Sequence, residues 1–306
     1  MNVATLTVNP TIDVSMQVDK VFHTHKMRGS DEHTDPGGGG ICVARVLVRL
    51  GCSARCFYMS GGATGVALDG LLDLHQLVRT RIPIQGDTRV ATSVFERGSG
   101  REYRFVPLGP IIAPEEWQEC LDRLAEAQCD YLVASGSLPR GMPDDFYARV
   151  AANAKQRGIR FVLDSSGAGL AQGLAGGGVF LVKPSIGELR ALTGQDLTSE
   201  EEIGRAAQAI VAKGEAELVA VSMGHQGALL ASESGILRLT AIPVEARSSV
   251  GAGDSFLAAM VHALAQEWPI EEALRFGISA GAAATLTPGS DLARADEIQR
   301  LYKSHF

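Results

Sequence analysis

The period of apolar and polar positions changes along this chain, and the change divides it in two. From about residue 110 onward, short β-rich runs at 131–134, 160–163, 179–182 and 218–221 alternate with helical spacing over 114–127, 144–156 and 200–213. Near-continuous apolar strands separated by helices are what a parallel sheet covered on both faces requires. The predicted class is therefore α/β, with a doubly wound, mostly parallel sheet flanked by helices.

The first hundred residues follow another rule. Segments 11–33 and 88–105 are polar, β-leaning and free of intervening helical patterns. Residues 89–95 and 101–106, joined by Arg97-Gly98-Ser99-Gly100, have the pattern of a β-hairpin. These stretches predict a separate small β-sheet spanning about 12–35 and 88–107. A half-apolar hairpin needs a cover, so this sheet is expected to be a lid over a site or a contact with a second copy. No repeat or low-complexity linker interrupts the 306 residues, which are expected to form one domain carrying that lid.

Charge and cysteine content narrow the function classes. A formal net charge of −7 argues against a surface for nucleic acid or an anionic membrane, so any bound anion needs a local basic cluster. Five cysteines without a Cys-x-x-Cys pair indicate neither a disulfide framework nor a thiolate zinc site. The chain starts in strand-like alternation from Val3 to Val8, and no apolar run is long enough to span a bilayer. A soluble protein of a reducing compartment, the cytoplasm, is expected.

Two glycine-rich turns carry the candidate chemistry. Ser248-Ser249-Val250-Gly251-Ala252-Gly253-Asp254-Ser255 precedes an apolar helical run over 256–265. Such a turn leaves backbone N–H groups free at a positive helix end, a trap for anionic charge. On these residues alone, Asp254 fits a helix cap as well as it fits a catalytic base. Pro36-Gly37-Gly38-Gly39-Gly40 precedes a second helical run over 41–50. Its missing Cβ atoms permit close backbone approach to a ligand, but a plain hinge reads equally well.

Taken together, in this order and separation, the two turns resemble the signatures of the ribokinase or PfkB family of sugar kinases. The likeness extends over nearly the whole chain, through Thr7-Val8-Asn9-Pro10-Thr11-Ile12-Asp13, Gly61-Gly62-Ala63-Thr64-Gly65, Ser135-Gly136-Ser137-Leu138-Pro139 and Val182-Lys183-Pro184. Ser222-Met223-Gly224-His225-Gln226-Gly227-Ala228 and Ala282-Ala283-Ala284-Thr285 complete it. Within the family it is most similar to the phosphofructokinase branch. The resemblance implies a ribokinase-like fold with a β-sheet lid, homodimerisation through the lid, and ATP-dependent phosphorylation of a hexose phosphate. Fructose 6-phosphate leads as acceptor, with tagatose 6-phosphate and fructose 1-phosphate as alternatives and a catalytically weak sugar-phosphate or nucleotide sensor as a further one.

Residue by residue, the resemblance makes Asp254 the base and Gly251, Ala252 and Gly253 the anion hole. The acceptor is assigned to Asp13, Gly38, Gly39, Cys42 and Ser137, with Lys26, Arg28, Arg89 and Arg104 on its phosphate. ATP is assigned to Lys183, Ser185, Ser222, Gly224, Gly227 and Gly281, and Glu188 to water around Mg²⁺. A monovalent cation such as K⁺ is assigned to Ser248, Val250, Ala284, Thr287, Gly289 and Asp291. Three positions depart from the phosphofructokinase pattern: Cys42 replaces an Asn, Ser185 replaces the Asn of Asn-x-x-Glu, and Asp291 replaces an Arg.

Overall fold

The computed structural model describes residues 2–287, 289 and 291–306. The N-terminal part contains β1 (Val3–Thr7), β2 (Thr11–Val18), β3 (Ser30–Gly37), α1 (Gly39–Arg49), β4 (Ala54–Gly61), α2 (Gly62–Asp73) and β5 (Val78–Ile84). There follow β6 (Arg89–Glu96), β7 (Arg101–Phe105), α3 (Pro114–Ala125), β8 (Tyr131–Ser135), α4 (Phe146–Gln156), β9 (Arg160–Asp164), α5 (Gly167–Ala175) and β10 (Val179–Val182). The rest comprises α6 (Ile186–Thr193), α7 (Glu200–Ala212), β11 (Ala216–Ser222), β12 (Ala228–Ser232), β13 (Gly235–Leu239), α8 (Ala252–Ala265), α9 (Ile270–Thr285) and α10 (Ala295–His305).

Among the described residues, nine strands form one sheet in the order β13-β12-β11-β10-β9-β8-β1-β4-β5. From β11 to β5 every neighbouring pair is parallel, whereas β12 runs antiparallel to both its neighbours. The period-2 alternation of strand side chains divides the core. Val3 of β1 and Tyr131 and Val133 of β8 pack with α1, α2, α8, α9 and α10 on one face. Ala4, Leu6, Leu132 and Ala134 pack with α3 to α7 on the other. Both faces are buried, so the strands read as unbroken apolar runs.

The predicted elements appear with small shifts at their ends. The helix expected from residue 144 starts at Phe146, because Pro143 to Phe146 first closes a turn in which Phe146 N donates to Pro143 O. The helix expected from residue 200 starts there, capped by Ser199, whose hydroxyl accepts from Glu202 N.

A second sheet has the order β3-β2-β6-β7, with β2 antiparallel to β3 and parallel to β6. Its entry points explain its position. The chain leaves the C-terminal ends of β1 and β5 and passes through short connections into β2 and β6. Thus the small sheet stands at the edge of the large sheet where the parallel strands end. Its outer strands β3 and β7 are largely exposed.

Candidate active site

In the large sheet the chain proceeds from β1 to β4 on one side and later returns to β8 on the other, so the strand order reverses at β1. Open α/β sheets bind ligands beyond the carboxyl ends of strands at such a reversal. A cavity of about 320 Å³ lies there, roofed by Thr11, Asp13, Arg89, Ala91 and Arg104 of the small sheet. Its floor holds Gly38, Gly39, Cys42, Ser135, Ser137, Asp164, Glu188, Val250, Gly251 and Asp254.

Both glycine turns reach this floor because glycine alone fits their backbones. Gly38 has φ +104°, and a Cβ there would lie 2.7 Å from Thr7 Cγ2; at Gly39 a Cβ would lie 2.0 Å from Ser135 Oγ. Gly251 has φ +73°, and its Cβ would lie 2.4 Å from Leu292 Cδ2. Helix α1 begins after Gly38 and α8 after Gly251, each without a side-chain cap. Two positive helix ends with free N–H groups therefore meet the same cavity, an anion-binding arrangement inside an acidic protein.

Asp254 sits in the first turn of α8. Burial pushes its pKa up to about 7, Asp164 adds to the rise, and Lys183 and the Cys42 thiol partly oppose it. A carboxylate poised near neutrality has the proton affinity a general base needs. Burial likewise raises the pKa of Asp13, against the pull of Arg104, the Thr11 hydroxyl and Arg89.

Arg89 donates to Asn9 O at 2.8 Å and to Pro107 O at 3.1 Å, while its buried Nε has no partner among the described residues. The Arg104 side chain lines the cavity and acts on Asp13 through its charge, without a side-chain hydrogen bond or close ion pair among those residues. The family resemblance groups four cations; of these the fold brings Arg89 and Arg104 to the cavity. Lys26 and Arg28 are exposed on the connection between β2 and β3 and do not line it.

The positions assigned to nucleotide occupy neighbouring strand ends and are internally paired. Lys183, only 5% exposed, places Nζ 3.1 Å from Asp164 Oδ1, and Ser135 Oγ donates to Asp164 Oδ2 at 3.1 Å. Burial opposes the Lys183 charge, but Asp164, Glu188 and Asp254 outweigh it and hold its pKa above the ordinary lysine value. Ser185 caps α6: its Oγ accepts from Glu188 N at 3.2 Å, and Glu188 Oε2 accepts from Ser185 N at 2.8 Å and Ser185 Oγ at 2.9 Å. Glu188 is therefore a capping residue that also lines the cavity. Ser222 N donates to Pro184 O at 3.0 Å, Gly224 and Gly227 close the turn from β11 to β12, and Gly281 of α9 packs beside Ala252. Pattern reading missed Asp164. Its signal was an acid at the carboxyl end of the apolar run Phe161-Val162-Leu163.

Residues 5–296 match the model of the pfkB family carbohydrate kinases. The chain belongs to that family. It is 41% identical over 303 residues to ATP-dependent 6-phosphofructokinase isozyme 2 from Mycobacterium tuberculosis, covering 98% of this chain and 89% of the relative. The 1-phosphofructokinase from Bacillus subtilis is 32% identical, with 97% and 96% covered. The crystal structure of phosphofructokinase-2 from Escherichia coli in complex with potassium superimposes with a TM-score of 0.95 at 38% identity, covering 99% of this chain and 98% of that one. Among the described residues of this PfkB kinase, no helix is long and apolar enough to cross a membrane.

Two departures from the family pattern have a structural setting. Cys42 lies on the cavity floor, 7% exposed, and burial together with the nearby Asp254 raises its pKa well above the ordinary thiol value. It stays a protonated, weak donor. Asp291 is tied by its carboxylate to Arg49 at 2.9 Å and to Arg294 at 3.4 Å. Burial works against that charge, yet Arg49 and the Leu292 N–H hold its pKa below the usual range.

Oxygen atoms assigned to a monovalent ion are gathered but engaged. Thr287 Oγ1 lies 2.7 Å from Ala284 O and 2.8 Å from Asp291 O, and Ser248 Oγ accepts from Val250 N. The Asp291 side chain belongs to Arg49 and is not free as a ligand. Gly289 faces Ser15 of the small sheet, since a Cβ there would lie 3.0 Å from Ser15 Oγ. Among the described residues no group of three or more His, Cys, Asp or Glu side chains is arranged to hold a metal directly.

Proposed function

We propose that this PfkB kinase transfers the γ-phosphoryl group of ATP to the primary hydroxyl of fructose 6-phosphate. The observation that carries the reading is one cavity holding a carboxyl group with pKa near 7, two uncapped helix ends and the arginines Arg89 and Arg104. Asp13 accepts hydrogen bonds from sugar hydroxyls, while Arg89 and Arg104 hold the acceptor's own phosphate. Planar guanidinium groups suit that task because they donate two parallel bonds to phosphate.

Asp254 takes the proton of the attacking hydroxyl, and the N–H groups of Gly251, Ala252 and Gly253 receive the charge spreading over the transferring phosphoryl. Positioning and charge stabilisation supply most of the acceleration in such reactions. ATP extends from the anion hole along the ends of β10 and β11, past Lys183, Ser185, Ser222, Gly224, Gly227 and Gly281. The hard oxygen donors of Glu188 and Asp164 fit a Mg²⁺ held through water, which would offset phosphate charge. Carbonyl and hydroxyl oxygens of Ser248, Val250, Ala284, Thr287 and Gly289, with the backbone of Asp291, fit a K⁺ beside the anion hole. The small sheet acts as the lid, and pairing with a second copy would cover Phe22 and Phe105, which are 50% and 62% exposed.

Release of ADP, measured across fructose 6-phosphate, tagatose 6-phosphate, fructose 1-phosphate and unphosphorylated fructose, tests the reading. Fructose 6-phosphate is expected to give the highest kcat/KM. A higher value with another sugar phosphate reassigns the acceptor, and binding of sugar phosphate without turnover replaces the kinase with a sensor.

A further inference from the structure

Helix α1 carries Cys42, Arg45 and Arg49 three and four residues apart, so the three share one face. Cys42 lies on the cavity floor. Arg45 reaches back to the small sheet, donating to Pro36 O and to Asp35 Oδ1, both at 3.0 Å. Arg49 reaches the opposite way, to a segment 242 residues later in the chain: Nη2 donates to Asp291 Oδ1 at 2.9 Å, and Nη1 to Leu292 O at 2.5 Å and Ala293 O at 3.3 Å.

What Arg49 grips is the wall behind the anion hole. Leu292 is fully buried and lines the cavity, pressed so closely on Gly251 that a Cβ there would meet Leu292 Cδ2 at 2.4 Å. Ala293 N donates to the hydroxyl of Ser255, the residue after Asp254. Asp291 Oδ1 also accepts from Leu292 N at 2.8 Å, and Asp291 O lies within reach of the Thr287 hydroxyl. The segment from Asp291 to Ala293 thus touches both sides of the glycine turn, and Arg49 is its three-bond anchor to α1.

We propose that Arg49, acting with Asp291, is a positioning residue for phosphoryl transfer: it fixes the segment from Asp291 to Ala293 so that Leu292 and Ala293 hold the Gly251 to Asp254 turn in its working geometry. The inference rests on the kinase reading for its catalytic readout. A planar fork is needed, because two backbone carbonyls and one carboxylate are bound at once, which a point charge on a flexible stem does not reproduce. Neither residue touches the cavity, so their effect falls on the placement of the anion hole and base, not on substrate contacts. Only the carboxylate arm of the anchor depends on Asp291; the other two bonds are made to backbone carbonyls.

Two measurements test it. Arg49→Met keeps the aliphatic stem and removes all three bonds; it is expected to lower kcat about tenfold, as for a small misplacement of catalytic groups, with the KM values for ATP and fructose 6-phosphate within about twofold of the parent. Asp291→Asn is expected to cost less, about threefold, and the double variant to match Arg49→Met alone, since the pair acts as a unit. Arg49→Lys is expected to recover the melting temperature but not kcat. Unchanged kcat in Arg49→Met, or recovery of melting temperature and kcat together in Arg49→Lys, overturns the proposal. Amide hydrogen exchange over 248–256, read by mass spectrometry in the apo protein, is expected to rise about tenfold or more in Arg49→Met and Arg49→Lys; unchanged exchange overturns the proposal even if the acceptor proves to be another sugar. Failure of fructose 6-phosphate as acceptor with raised exchange defeats only the substrate reading.

Discussion

The two halves of the cavity are built on opposite electrostatic plans. On the half proposed for the acceptor, the Arg104 side chain acts on Asp13 through its charge without a close ion pair among the described residues, Arg89 keeps an unpartnered Nε, and burial raises the pKa of Asp254 to about 7. On the half proposed for the nucleotide, Lys183 is paired with Asp164, and Ser185 and Glu188 satisfy each other. Unpaired charge waits for a ligand, whereas paired charge supports the fold around it. Substitutions on the two halves should therefore fail in different ways: the first in chemistry and acceptor binding, the second in stability.

The largest effect is expected at the base. Asp254→Asn should lower kcat by about 10³-fold or more, with the dissociation constant for ATP measured by titration calorimetry nearly unchanged. Full turnover in this variant would remove Asp254 from the chemistry. The same carboxylate sets the pH dependence. Its base form is lost as pH falls through about 7, so kcat/KM should drop about tenfold per pH unit below that point. Stability moves the other way. Because the folded pKa lies above the unfolded value near 3.8, the native state keeps a proton that the unfolded chain has released, and stability falls as pH rises between about 4 and 7. Asp254→Asn should flatten that fall in a melting series.

The paired half is broken most cleanly at Lys183. Lys183→Met leaves Asp164 buried without its cation, at a cost of about 3–5 kcal/mol, visible as a lower melting temperature before any ligand is added. Arg104→Met should leave the melting temperature unchanged and raise KM for fructose 6-phosphate about 10- to 100-fold, the loss of charge-assisted bonds to phosphate. Equal losses of stability in the two variants would erase the contrast between the halves.

The fold was legible from pattern because burial on both faces leaves its mark in local sequence. Runs at 131–134 and 160–163 became β8 and β9, and the polar hairpin became β6 and β7. Of the candidate site, the glycine turns were legible because their close approaches to Ser135 and Leu292 exclude any side chain. Contacts made across the fold were not. Nothing near Lys183 in the sequence announces Asp164, and nothing near Arg49 announces Asp291, since strand order and loop return create those neighbours. Lys26 and Arg28 are grouped with Arg89 and Arg104 by the family resemblance alone, and they stand on a connection whose path has no periodicity to read.

The smallest expected effect bears on the acceptor half itself. If that half is a set of groups waiting for sugar hydroxyls, Cys42 is its weakest member, because a protonated thiol offers one poor donor where an amide offers two donors and an acceptor. Cys42→Asn should therefore lower KM for fructose 6-phosphate about threefold, in steady-state assays at pH 8 where Asp254 is ionised. The amide must fit a position that is 7% exposed and faces Asp254. A raised KM in a variant with parental melting temperature would mean that the cavity is shaped around the thiol, and that its polarity at this point is already matched to the acceptor.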